Sequence, residues 1–98
     1  MKNRWVIVRS RDAGVVFGKL KKRKGRRVKL TNSRQLWRWH ARKGITLLDV
    51  ARYGVKQSEC KFSEQDGGPI EILDACAVLL ATEAARVTIQ GVSDLGIN

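Results

Sequence analysis

Through the first forty positions apolar and polar residues alternate with a period of two, which predicts strands. Residues 4–10, Arg-Trp-Val-Ile-Val-Arg-Ser, form one strand and residues 15–21, with Val16 and Phe17, a second. The tight turn at residues 11–14 joins them as a hairpin, with Gly14 free to take a positive φ. Gly18, inside the second strand, marks a bulge or a close backbone approach. Val28-Lys29-Leu30-Thr31 alternates strictly and reads as a third strand, and Asn32-Ser33 is turn chemistry. Residues 34–40 read as a further strand with Gln35, Trp37 and Trp39 on one face and Arg34, Leu36, Arg38 and His40 on the other. A helix there would spread Trp37 and Trp39 by about 200° and leave no apolar stripe, so the strand is preferred.

Beyond residue 45 the pattern changes. Residues 46–54 predict a short helix with a Thr46/Asp49 capping box and Gly54 at the C-cap, turning Leu47, Val50, Ala51 and Gly54 inward. Its two turns must be held by packing, not propensity. Residues 55–63 are irregular, with Cys60-Lys61-Phe62 a brief strand, and residues 64–69 form a loop around Gly67-Gly68-Pro69. Residues 70–74 and 75–81 predict two apolar strands, the second a continuous run that suits a buried position. Residues 82–91 predict a second helix, with Thr82 as N-cap, Glu83 at its positive end and Gly91 as its stop.

The expected architecture is α+β: a small, mostly antiparallel sheet of about five to six strands with two short helices packed on one face. The whole chain, 1–98, reads as one domain. It comprises a basic β-rich half (1–43), the helix at 46–54, an acidic-leaning half (55–91) and a loose tail (92–98).

Charge sharpens this picture. Residues 1–48 hold sixteen Lys/Arg against the single acid Asp12, a balance of +15; residues 49–98 hold four against eight acids, −4; together these make the net +11. Such polarity implies one face of strong positive potential that attracts a polyanion. Its densest run is residues 21–27, where Lys21, Lys22, Arg23, Lys24, Arg26 and Arg27 surround Gly25. These six charges are either an arm for phosphates or a charged hairpin tip that discourages edge-to-edge aggregation. No apolar run approaches the ~20 residues of a membrane span, and the basic N-terminus lacks the apolar core of a signal peptide, so a soluble cytoplasmic protein is expected. Cys60 and Cys76 lack a C-x-x-C spacing and read as reduced thiols; with one histidine they do not assemble a zinc site, and no metal or cofactor is expected.

Candidate chemistry concentrates in residues 34–43, which carry two of the three tryptophans, the single histidine and four cations without an acid. Indole, imidazole and guanidinium groups suit stacking on bases and pairing with phosphates. The candidate ligand-binding residues are Arg34, Arg38, His40, Arg42, Lys43, Trp37 and Trp39, with the 21–27 run as the electrostatic element. Trp37 and Trp39 are either core or ligand-contacting; in the first case Arg34, Arg38 and His40 still project from the opposite face. His40 with Asp49 or Asp12 is a poor start for catalysis, and no G-x-S-x-G, H-E-x-x-H, Walker or dinucleotide motif is present, so no enzyme is expected. Without a recognition helix or the aromatic signature of RNA-binding sheets, nucleic-acid binding would be led by shape and charge.

The segments Trp5-Val6-Ile7-Val8-Arg9, Ala13-Gly14-Val15-Val16-Phe17-Gly18, Arg34-Gln35-Leu36-Trp37-Arg38-Trp39 and Cys60-Lys61-Phe62-Ser63 resemble an uncharacterised family of small phage and prophage proteins, over roughly residues 4–90. That group is similar in size and build to phage anti-defence sponges of the Thoeris anti-defence type. The resemblance implies a compact oligomer in the host cytoplasm that sequesters a cyclic nucleotide signal without catalysis. The charged run His40-Ala41-Arg42-Lys43 departs from the small, polar helix start of that group and points to a larger or more highly charged ligand. Three functions are therefore carried forward: sequestering a phosphate-bearing nucleotide, binding DNA or RNA, and docking an acidic host protein.

Overall fold

The computed structural model describes residues 2–93. Six strands and two helices follow in the order β1 (Trp5–Ser10), β2 (Gly14–Lys24), β3 (Arg27–Arg38), α1 (Leu47–Tyr53), β4 (Lys61–Phe62), β5 (Ile70–Ile72), β6 (Ala75–Leu80) and α2 (Glu83–Gln90). A single 3-10 turn, Gln57–Glu59, precedes β4. All pairings are antiparallel, in the order β4-β3-β2-β1-β6, with β5 also on β3. The architecture is α+β, as the sequence pattern implies.

The sheet is not flat. β3 carries β2 along one edge and both β4 and β5 along the other, β4 at Leu36–Arg38 and β5 at Val28–Leu30. Only Leu73 and Asp74 separate β5 from β6, and β6 pairs with β1. The chain thereby bridges β3 to β1 from the side opposite β2, and the sheet curls round on itself. Inside the curl lie Val6, Val8, Val16, Leu20, Val28, Leu30, Ile72 and Ala75. On the other face Ile7, Phe17, Leu36 and Phe62 pack under Val50 and Ala51 of α1 and Ala85 and Ile89 of α2. β1 thus buries three consecutive residues, Val6, Ile7 and Val8, because both of its faces are covered.

Bulges produce the curvature. The register slips at Gly18, where a side chain would come within 3.1 Å of Leu30 Cβ and Thr31 O. Both expectations for Gly18 hold. β3 slips opposite it, at Asn32-Ser33, where Asn32 adopts φ 51. The turn chemistry expected at those residues therefore serves a bulge within one continuous strand and not a break between two. Asparagine tolerates the left-handed region, so the ladder continues on either side.

Several boundaries move. β2 and β3 run deep into the basic segment, so residues 21–27 are mostly strand, with Gly25-Arg26 alone as the turn. β3 ends at Arg38, leaving Trp39 and His40 outside it, and Ala41 makes an isolated bridge to Val55. β6, expected to be buried, lies at an end of the sheet with Cys76 and Leu80 exposed. Within the expected loose tail Val92 is buried, while residues 94–98 lie outside the described residues. The helices match their signals. Thr46 Oγ1 accepts from Asp49 N while the Asp49 carboxylate accepts from Thr46 N, and Gly54 closes α1 at φ 91. Thr82 Oγ1 caps α2 by accepting from Ala85 N at 3.1 Å.

Candidate nucleic-acid interface

Charge and strand pairing meet in the β2–β3 ribbon. Gly25, at φ 59, takes the first turn position, where a two-residue hairpin favours positive φ. The register then sets Lys22 against Lys29, Arg23 against Val28 and Lys24 against Arg27. Lys22, Lys24, Arg27 and Lys29 share one face, because residues two apart on a strand point the same way. With Glu71, which β5 places opposite Lys29, they line a groove of about 300 Å³. A second, more open groove of about 650 Å³ is lined by Lys2, Leu20, Lys21, Lys22 and Arg23. Cations therefore surround the ribbon.

Like charges directly across a ladder repel, at a cost of roughly 0.2–1 kcal/mol per pair. Here two such pairs follow one another, and among the described residues none of these cations lies within ion-pair distance of a carboxylate. Two arginines spend one donor each on backbone: Arg23 Nε on Gly25 O and Arg26 Nε on Ala75 O, both at 3.4 Å. Residues 21–27 are all exposed. Such a surface is held together by its backbone ladder against the repulsion of its side chains.

The segment at 34–43 does not assemble into one site. Arg34, expected to project, is 2% exposed. Its Nε donates to Ser63 O at 2.7 Å, Nη1 to Ile89 O at 2.8 Å and Gln90 O at 3.5 Å, and Nη2 to Val92 O at 2.5 Å. The guanidinium also stands 5.2 Å from the centre of the Phe62 ring. It thus collects the orphan carbonyls at the end of α2, a structural task suited to a cation at a helix C-terminus. The reading of Arg34 as an exposed ligand-binding residue is corrected. Its face is the core face, shared with Leu36 and lying opposite Phe17 and Val15.

The two tryptophans part company. Trp37 is 70% exposed, with Lys61 Nζ 5.9 Å from its ring centre, while Trp39 is half-buried against the helix-side core. Trp5 stacks on Phe17 at 5.1 Å and belongs to the fold. Arg38, His40, Arg42 and Lys43 are exposed, but Arg42 and Lys43 sit beside α1, with Arg52 and Tyr53. Sequence reasoning passed over Lys29, although its strict alternation between Val28 and Leu30 already placed it on the polar face. Lys2 carries no local signal, since only the fold brings it to the ribbon.

Several other ionisable groups serve the frame. Hydrogen bonds from Thr46 hold the Asp49 carboxyl below its usual range, and Ser10 Oγ, donating at 2.6 Å, does the same for Asp74. The Arg86 guanidinium lowers Glu83 and is itself raised by it. Burial pushes the Cys60 thiol up. No group of three or more His, Cys, Asp or Glu is placed to hold a metal among the described residues, and no helix is long and apolar enough to cross a membrane.

A family described as a domain of unknown function, DUF6948, matches residues 3–89. No curated protein and no solved structure matches the chain.

Proposed function

The chain belongs to this DUF6948 family, and we propose that it binds nucleic acid through the phosphates, with the β2–β3 ribbon as the contact surface. The observation that carries the reading is the row Lys22, Lys24, Arg27 and Lys29, opposed in like-charged pairs, with Glu71 the single acid lining their groove and no carboxylate within ion-pair distance of them among the described residues. Binding of this kind draws its free energy from release of the counterions condensed on the polyanion. The tip of β2–β3, residues 24–27, reaches past the pairing of β5 with Val28–Leu30 as a two-stranded ribbon, an element that the major groove of a duplex admits. Arginine forks would chelate phosphate oxygens while lysines act as mobile point charges.

The small-nucleotide reading implied by the phage resemblance finds less support. It asks Arg34, Arg38, His40, Trp37 and Trp39 to converge on one ligand, whereas Arg34 is committed to carbonyls and Trp39 to the core. Docking of an acidic protein would use the same cations, and nuclease-insensitive binding is its signature.

The test is fluorescence anisotropy with labelled duplex and single-stranded oligonucleotides. Replacing Lys22, Lys24, Arg27 and Lys29 by Ser should weaken binding about tenfold or more at moderate salt, uniformly across sequences. Replacing Arg11 and Lys56, exposed cations away from the ribbon, should change it far less. Equal losses in both variants would refute the ribbon as the contact.

A further inference from the structure

A second cationic site, on the helical side of the molecule, belongs to neither the ribbon nor the core. The segment after β3 and the end of α1 bring Arg42, Lys43, Arg52 and Tyr53 around an open cup of about 360 Å³, with Ala84 of α2 completing its wall. Lys43 Nζ stands 5.2 Å and Arg52 Cζ 5.3 Å from the centre of the Tyr53 ring. The backbone beneath is tied down from three directions. Arg42 N donates to Gly54 O at 2.8 Å, Thr82 N to Ala51 O at 2.9 Å, and Thr82 Oγ1 to Arg52 O at 2.7 Å.

Three cations meet here, and among the described residues none lies within ion-pair distance of a carboxylate. The nearby acid, Asp49, turns its carboxylate to Ile45 N, Thr46 N and Thr46 Oγ1, so capping α1 occupies it. Contact with the Tyr53 ring restrains Lys43 and Arg52 but supplies no countercharge. Restraint matters, because a ligand that pairs with an already ordered cation costs less side-chain entropy.

We propose that this cup is a site for a phosphate dianion, the terminal phosphate of a phosphomonoester. Arg42 and Arg52 offer planar forks that match pairs of phosphate oxygens, and Lys43 offers a point charge for the remaining one. A terminal phosphate presents three oxygens and close to two charges near neutral pH, which a phosphodiester or a carboxylate does not. The ligand is the end of a nucleic-acid strand or a free nucleotide; the chemistry recognised is the same. The inference stands apart from the ribbon, since the length of β3 runs between the two.

Tyr53 is the single tyrosine of the chain, so incorporation of 3-fluorotyrosine yields one 19F resonance inside the cup. Titration of the folded protein with sodium phosphate at pH 7.5, against sodium chloride at matched ionic strength, should give a saturable shift specific to phosphate, with a midpoint on the order of 1 mM. Arg42→Gln with Arg52→Gln should abolish it, and Arg42→Gln alone should raise the midpoint severalfold if the double variant fails to fold. The ribbon-neutralised protein should keep the shift, and in it a 5′-phosphorylated oligonucleotide should move the resonance where its 5′-hydroxyl counterpart does not. Tighter binding of adenosine monophosphate than of that oligonucleotide identifies a free nucleotide as the source, and the reverse identifies a strand end. A phosphate response no larger than chloride's, or equal responses to the two oligonucleotides, would overturn the site whatever the ribbon does.

Discussion

β3 starts on one arginine, Arg27, and carries another, Arg34, in its second half, and the fold uses the two oppositely. At Arg27 the guanidinium points from a two-stranded ribbon into solvent, beside Lys29 and across from Lys24. At Arg34, seven residues on, it is sealed under α2 with its donors on the carbonyls of Ser63, Ile89, Gln90 and Val92. Composition does not distinguish these residues; what lies over their face of the sheet does. The Asn32 bulge separates the two regimes. Before it the ribbon extends beyond the helices, and after it the strand runs beneath them. Arg34 is partnered by the fold, whereas Arg27 has no ion-pair partner among the described residues.

The sharpest way to break this contrast is to remove each cation and follow stability. Arg34→Met keeps much of the buried volume but strands the carbonyls of Ser63 and Val92, each costing about 1–3 kcal/mol unpaired, while Ile89 O and Gln90 O keep donors in Val92 N and Gln65 Nε2. The expected loss is roughly 3 kcal/mol or more, or some 15 °C in Tm for a chain of this size, read by thermal or urea unfolding; a loss under about 1 kcal/mol would dissolve the distinction. Asn32→Ala tests the divide itself. Alanine at φ 51 should cost about 1–2 kcal/mol while Asn32→Gly costs little, and equal losses would place the effect in the Asn32 side chain and not in the backbone.

Neutralising Lys22, Lys24, Arg27 and Lys29 together should have the opposite sign. Relief of two like-charged cross-strand pairs should leave stability unchanged or raise it by up to about 1 kcal/mol, and added salt should stabilise the parent more than the variant. A marked loss of stability would mean that these cations, like Arg34, serve the fold. The smallest effect is expected away from β3, at Asp49. Its carboxyl is held below the usual 3.8 in the folded state, chiefly by Thr46. Its contribution is therefore complete above the unfolded value and fades as pH falls through the lowered folded one. Asp49→Asn should flatten that acid limb of the unfolding curve slightly, measured by urea midpoint against pH.

The frame was readable where local chemistry acts locally. The Thr46/Asp49 box, Gly54 at the end of α1, Gly14 in the first turn and Gly18 at a bulge each announce themselves by residue type and spacing. So did Lys29, had the alternation of residues 28–31 been followed to its polar side. Arg34 misled because arginine is usually exposed, although the period that grouped it with Leu36 already placed it on an apolar face. Other features had no local signal at all. The return of β5 and β6 that curls the sheet, the arrival of Lys2 at the ribbon and the meeting of Arg42 and Lys43 with Arg52 and Tyr53 depend on contacts between distant segments.

The role proposed for the ribbon is to hold a polyanion by neutralising its phosphates. Its most direct measure is the slope of log Kobs against log salt for duplex DNA, with the parent and the Lys22, Lys24, Arg27, Lys29 quadruple serine variant side by side. Each phosphate neutralised contributes about 0.9 to the slope, so the variant's slope should be shallower than the parent's by roughly three to four. Parallel slopes, or a parent whose binding ignores salt, would contradict it.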